Sequence, residues 1–349
     1  MRLRATGLIW RQVRSSQTAL RHARHGAGRL IIDVCGGESS RGSLAHDVRS
    51  GLGRSEKRLP PKYFYDDLGS KLFDRICRTP EYYPTRSEHA LLAQIADRLV
   101  APPSGPSDLL ELGSGAARKT RILLDAISRC SGRCRYLPFD VSESMLEESA
   151  LELLDEYPWL MVHGLVGDYE QGLAALPPGE RRLVLFLGST IGNFEPARAV
   201  EFLTSIASVL RAGERLLLGT DLVKSRAELD AAYNDAQGLT AAFNKNVLRV
   251  INRELGGHFA LDRFEHVAFF NEEASQIEMY LESKLAQRVV IERLELEVKL
   301  EAGERILTEI SRKFTRDSAA CMLAEAGLEL TSWLVSPDSR FALSVSVPR

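Results

Sequence analysis

Residues 108–119 read DLLELGSGAARK, an acidic-apolar run that breaks into Gly113 and Gly115 and then into a helix-like pattern. A short apolar run closed by glycines predicts a buried strand that turns sharply over its carboxyl end. With no Cβ, glycine lets the backbone pass close to a bound group. The rhythm then repeats. Strand-like runs at 108–112, 135–139, 160–165, 182–187 and 214–220 alternate with helical patterns at about 119–129, 143–156, 170–175 and 196–211. Ser142 suits an N-cap, and Pro196 suits a first helical turn. Alternation at this spacing predicts an α/β fold with a doubly wound, Rossmann-like parallel sheet.

The flanks follow other patterns. Residues 59–92 are crowded with aromatics, Tyr63, Phe64, Tyr65, Phe73, Tyr82 and Tyr83, before a predicted helix over 85–99 and a Pro/Gly linker. Buried tyrosines need partners for their hydroxyls, and the turn at Tyr82-Tyr83-Pro84 is a place for ligand contacts as well as for core packing. After the sheet pattern, Ser225 and Glu228 form a capping box that opens a helical stretch over 226–255. Residues 264–312 hold short β-rich runs, read as an antiparallel insertion. A last helix over 317–326 stops at Gly327, and two strands follow at 328–335 and 341–347.

Charge narrows the function. The net charge is −2, yet the first 32 residues carry seven arginines and no acid. Without them 38 basic residues face 47 acidic ones, so the body is acidic and lacks the basic face that a nucleic-acid partner requires. The arginine-rich start is acid-poor like a transit peptide, but a disordered arm or residues upstream of the true start are the preferred readings. No window holds 18 uncharged apolar residues, which predicts no membrane span. Five cysteines, an odd number, fit a reducing, cytoplasmic setting. Cys130 and Cys134 lack a second pair at zinc spacing, so no metal is expected.

The glycine turn admits two kinds of nucleoside cofactor. A dinucleotide turn wants a third glycine where this chain has Arg118. Acid-x-Gly-x-Gly, here Glu111, Gly113 and Gly115, is instead the pattern of S-adenosylmethionine-dependent enzymes. Asp140 ends the second strand, where a carboxylate can accept both ribose hydroxyls. Asp168 ends the third, where it can accept from an adenine amino group. Either acid alone also reads as a helix N-cap. Three acids at the carboxyl ends of three consecutive strands mark the ligand edge of an open α/β sheet.

With these residues in view, the chain resembles the histidine Nα-methyltransferases of ergothioneine biosynthesis. The strings that carry the resemblance are PPKYFYDDLGSKLFDRI, PEYYPTRSE, ELGSGAARKT, PFDVS, LFLGSTIGNF, AAYNDAQGLTAAFN, IEMYL and LTEISRKF, in the family's order over residues 44–349. The resemblance implies a class I methyltransferase core over 84–222 and 313–349, with a smaller α+β substrate domain from 44–83 and 223–312. Residues 1–43 are left as a basic, linker-like, disordered arm. S-adenosylmethionine is expected at Gly113, Lys119, Asp140, Asp168 and Tyr169. The amino and carboxylate ends of histidine are expected at Tyr65, Tyr82, Gly188, Asn193 and Tyr233. The imidazole is expected at Glu309 and Ser311, with Met279 packed against it.

The residue types suit these roles. Glu309 and Ser311 lie two apart on a predicted strand and share a face. A carboxylate accepts from one imidazole N–H, and a hydroxyl adapts to the other nitrogen. The expected reaction is three successive attacks of the α-amine on a sulfonium methyl, with Tyr65, Tyr82 and Asn193 orienting the amine rather than one essential base. A monomer is expected. The alternative is the same fold acting on tryptophan or another aromatic amine. Glu309 with Ser311 favours imidazole, since an indole offers a single N–H.

Overall fold

The computed structural model describes residues 22–25, 28–35, 43–103, 105–130 and 132–349. In chain order the first elements are β1 (His22–His25), β2 (Leu30–Val34), α1 (Ser43–Leu52), β3 (Lys57–Arg58), α2 (Asp67–Ile76) and α3 (Pro84–Val100). The alternating region gives β4 (Asp108–Leu112), α4 (Thr120–Cys130), β5 (Arg135–Asp140), α5 (Glu143–Glu156), β6 (Met161–Val166), α6 (Tyr169–Gly172), β7 (Arg182–Phe186), α7 (Pro196–Val209) and β8 (Arg215–Asp221). Every strand anticipated in this region is present within a residue or so of its expected bounds. Ser142 caps α5, accepting the Met145 N–H, and Pro196 opens α7.

All of these strands but β3 form one nine-stranded sheet in the order β1-β2-β6-β5-β4-β7-β8, extended by β15 (Phe341–Pro348) and β14 (Leu328–Val335). From β2 to β8 all neighbours are parallel, and β15 runs antiparallel beside β8. The order reverses between β4 and β7, which is where an open α/β sheet leaves a crevice for ligand. Alternate residues of the central strands feed two cores, as a sheet covered on both faces demands. Leu109, Leu183 and Leu185 pack with α3, α4 and α5. Leu110, Val184 and Phe186 pack with α7 and α11 (Arg316–Glu325).

A second unit sits at the carboxyl end of this sheet. It contains α8 (Arg226–Ala232), α9 (Leu239–Asn244), α10 (Asn246–Leu255), β9 (Phe264–Asn271), β10 (Gln276–Ser283), the hairpin β11 (Gln287–Ile291) and β12 (Leu296–Leu300), and β13 (Arg305–Arg312). Its main sheet has the order β3-β13-β10-β9. The core of this unit joins Phe64, Leu72 and Tyr83 to Phe243, Ile251, Met279 and Ile306, so two stretches distant in sequence share one interior.

Two expectations need correction. Residues 1–43 are not wholly an arm, because Leu30–Val34 is a strand of the main sheet, paired in parallel with β6. Leu30 is fully buried, and Asp33 meets His163 at 2.8 Å. The rest of that segment lies largely outside the described residues. The 226–255 stretch is three helices rather than one. Asp235 accepts the N–H groups of Leu239 and Thr240 at 2.9 and 2.7 Å, and Gly238 turns the chain at φ +68°. That break leaves Tyr233 at the end of α8, facing β13. Among the described residues no helix is long and apolar enough to cross a membrane.

Candidate active site

The glycine turn sits at the carboxyl end of β4, with Gly113 at φ +74° and Gly115 at φ +49°. A Cβ on Gly115 would meet nothing within 4 Å, so the turn faces open space. Beside it Asp140 accepts the Gly115 N–H at 2.9 Å and the Ser142 N–H at 3.0 Å. At the end of β6 Asp168 caps α6 through the Glu170 N–H at 3.0 Å, which leaves its second oxygen uncommitted among the described residues. Next to it the Tyr169 ring packs against Phe139, Phe186 and Phe202, with centroids 5.6–6.4 Å away.

Glu111 behaves differently. Its carboxylate turns inward, taking hydrogen bonds from Thr120 and Tyr136, and burial raises its pKa to about 7. Of the three strand-end acids, Glu111 therefore braces the turn from below, and only Asp140 and Asp168 remain at the ligand edge. Lys119 pairs with Glu88, a fully buried residue of α3. Glu88 also accepts the Gly188 N–H at 2.8 Å, so one carboxylate ties the β4 turn to the loop after β7. Gly219 makes room for it, since a Cβ there would fall 2.4 Å from Glu88 Oε1.

A cleft of about 630 Å³ opens beside Asp140, lined by Tyr65, Asp66, Asp67, Leu68, Val141, Ser142 and Arg253. Tyr65, Leu68 and Val141 are unusually exposed for their size, with Val141 at 56%. A wall that mixes Tyr65, Leu68 and Val141 with polar Asp66, Asp67, Ser142 and Arg253, an adjacent carboxylate and a glycine turn with its backbone uncovered fit a nucleoside. Gly113, Lys119, Asp140, Asp168 and Tyr169, the residues anticipated for the cofactor, all lie along the carboxyl ends of β4, β5 and β6.

The residues anticipated for the substrate come from both units. The loop after β7 is a 3-10 turn, Thr190–Asn193, and Gly192 lies against the end of β13, where a Cβ would be 2.8 Å from the Arg312 carbonyl. This approach puts Asn193 and Glu309 on one cavity of about 240 Å³. Glu309 and Ser311 share a face of β13, and Met279 lies opposite Glu309 across the β10–β13 ladder. Tyr82 packs edge-on to Tyr233 at 6.3 Å, and Tyr65 joins the same aromatic group through Phe73 and Phe243. Tyr63 packs against the same core and donates its hydroxyl to Asp47 at 2.7 Å.

Electrostatics sharpen the picture. Burial pushes the Tyr82 phenol well above the usual range and Glu309 adds to the effect, and Tyr65, though 38% exposed to the cleft, shifts in the same direction. Burial also raises Glu309 to about 7, against the pull of Lys313. Among the described residues, the side-chain polar atoms of Glu309, Asn193, Tyr65 and Tyr82 have no hydrogen-bond partner. Glu309, Asn193 and Tyr82 are half-buried and Tyr65 is more exposed, so these four groups, brought from three segments, are open to a ligand.

Beneath this site lies a network that the sequence did not reveal. Lys313 Nζ is 2.9 Å from Asp221, 3.0 Å from the Tyr233 hydroxyl and 2.8 Å from Ser311 Oγ. Tyr233 donates to Ser311 at 2.8 Å. Lys224 and the Tyr83 hydroxyl hold the other side of Asp221. Burial opposes the charge on Asp221, but the two ammonium groups outweigh it and keep its pKa low. Lys313 follows Glu309 and Ser311 at the same two-residue spacing, a signal that was readable. Glu88 gave none, since a glutamate in an amphipathic helix reads as solvated.

The strand order, the glycine turn and the carboxylates on neighbouring strand ends define a class I, S-adenosylmethionine-dependent methyltransferase. The family described as histidine-specific, SAM-dependent methyltransferase matches residues 44–348, and the chain belongs to that family. It is 48% identical over 317 residues to the histidine N-alpha-methyltransferase of Mycolicibacterium smegmatis, covering 91% of this chain and 98% of that one. It is 33% identical over 239 residues to ergothioneine biosynthesis protein 1 of Schizosaccharomyces pombe, covering 65% of this chain and 31% of that one. Similarity extends to the L-tryptophan methyltransferase of Psilocybe serbica, at 28% identity over 340 residues, 87% of this chain and 94% of that one.

Proposed function

We propose that this enzyme transfers three methyl groups to the α-amino nitrogen of L-histidine, forming hercynine, the first step of ergothioneine biosynthesis. The observation that carries the reading is the set of unpartnered polar groups around Glu309 and Ser311. Glu309 accepts from one imidazole N–H, Ser311 meets the other ring nitrogen, and Met279 packs beside the ring. An indole, with one N–H and no in-plane lone pair, would leave one of the two without a partner. Gly188, Asn193, Tyr65, Tyr82 and the Tyr233 ring surround the amino-acid end.

An α-amine is mostly protonated near neutral pH, and only its neutral form carries a lone pair for attack. Bound S-adenosylmethionine supplies an electrophilic sulfonium methyl. Gly113, Lys119, Asp140, Asp168 and Tyr169 hold it along the strand ends, while Asn193 and the two free phenols orient the amine. Orientation of this kind contributes up to ~7–11 kcal/mol in favourable cases. The final product is a fixed cation, and the aromatic faces of Tyr65, Tyr82 and Tyr233 favour it by about 0.5–2 kcal/mol.

On this reading 44–83 and 223–312 bind substrate, and 84–222 with 313–349 binds cofactor. The enzyme works in the cytoplasm as a monomer, without nucleic acid or membrane. The test is mass spectrometry of purified protein incubated with S-adenosylmethionine and each amino acid in turn. Successive methyl additions to histidine alone support the proposal. Absence of trimethylated histidine, or preferential methylation of tryptophan, overturns it.

A further inference from the structure

The hydrogens of the Lys313 cluster can be counted. An ammonium has three donors and no acceptor, and Lys313 spends one each on Asp221, Tyr233 and Ser311. A hydroxyl has one donor and two acceptor sites. Ser311 Oγ accepts from Lys313 and from Tyr233, which fills both. Its own hydrogen has no place left inside the cluster and points out, on the face of β13 that carries Glu309. The opposite direction would put the surplus hydrogen on Tyr233 and leave Ser311 an open acceptor site, so the donor role of Ser311 depends on the phenol, the more acidic O–H, donating to it. Asp221, held by Lys224 and the Tyr83 hydroxyl, anchors Lys313 and fixes this polarity.

We infer that Lys313 is a positioning residue that makes Ser311 an obligate hydrogen-bond donor, so that the site accepts the neutral imidazole ring and rejects the imidazolium. A neutral ring presents one N–H, which suits Glu309, and one lone pair, which suits the Ser311 hydrogen. An imidazolium presents two N–H groups and sets one of them against a donor. The charged and titratable groups facing this pair are Lys313 on its own strand, Asp221 at the end of β8 with Lys224 beyond it, Tyr233 after α8, and Tyr65 and Tyr82 on either side of α2. The inference rests on histidine being the acceptor.

The test compares two ligands on the full-length protein saturated with S-adenosylhomocysteine. L-Histidine and L-(1,2,4-triazol-3-yl)alanine share the amino-acid end and the N–H and lone-pair pattern, but the triazole stays neutral across the range. Titration of Glu309 or of the α-amine affects both and cancels in the ratio of their affinities. By calorimetry the ratio of histidine to triazolylalanine affinity falls about tenfold from pH 7.5 to 5.5, following an imidazole pKa near ~6.5. In Lys313→Met and in Ser311→Ala the fall shrinks to less than about threefold, because the obligate donor is gone.

A flat ratio in the unsubstituted protein overturns the inference. So does a Lys313→Met protein that loses both ligands equally and keeps the original slope, which makes Lys313 merely structural. If Lys313→Met does not fold, Ser311→Ala decides alone, and an unchanged slope there is equally fatal. No histidine binding at any pH removes the histidine reading itself and takes this inference with it.

Discussion

Glu88 accepts the backbone N–H of Gly188 at 2.8 Å while its other oxygen pairs with Lys119. A buried carboxylate from α3 thereby locks together the loops after β4 and β7, on either side of the strand-order reversal. Glu88→Ala leaves the Gly188 N–H unpaired and Lys119 without its counter-charge. We expect a loss of about 2–4 kcal/mol, below the figure for a fully dry pair because Lys119 keeps 23% exposure. Chemical denaturation measures the stability and calorimetry the cofactor. S-adenosylmethionine affinity falls at least tenfold, and an unchanged affinity would make the pair purely structural. Gly219→Ala reaches the same carboxylate from behind and shifts both quantities in the same direction.

Glu309→Ala removes the carboxylate proposed to face the imidazole. The histidine KM rises by one to two orders of magnitude, matching about 1.5–3 kcal/mol for a charged hydrogen bond. Cofactor affinity stays within twofold. Parallel losses in both would trace to misfolding instead of recognition.

Tyr65 and Tyr82 carry free hydroxyls above the same site. Replacing either with Phe keeps the aromatic face and deletes the hydrogen bond. The first methylation slows by roughly tenfold while the ring-dependent binding of the trimethylated product is kept, read by single-turnover mass spectrometry and product inhibition. If every step proceeds at the original rate, both tyrosines are packing residues.

Glu111 predicts a pH effect on stability. Its pKa is raised by burial from 4.5 to about 7, so the folded state binds its proton more tightly than the unfolded chain does. The stabilisation this gives is complete below pH 4.5 and is lost as pH rises through 7, on the order of 3 kcal/mol in all. Glu309 adds to the same trend. In Glu111→Gln this decline is removed, so the variant's melting temperature, relative to the unsubstituted protein, climbs between pH 4.5 and 7.5. Parallel melting curves across that range would show that Glu111 titrates normally.

The repeating pattern of residues 108–221 is short-range information, and it carried the sheet and its ligand edge directly from the chain. Gly113 and Gly115 announce the turn because nothing else adopts those dihedrals cheaply, and the two-residue spacing of Glu309 and Ser311 is a strand's own period. What the chain could not display was partnership across long separations. Leu30–Val34 becomes a strand only because β6, some 130 residues on, offers an edge to pair with. Asp235 breaks a helix that periodicity alone would have continued. Glu111 reads as a ligand acid but turns inward once Tyr136 and Thr120 close over it. The opening turn and the strand-end acids therefore specified a methyl-donor site from sequence. The tertiary structure decided which way each polar group faces, because a hydroxyl or carboxylate takes its role from the neighbours that folding delivers, as Lys313 and Asp221 do for Ser311.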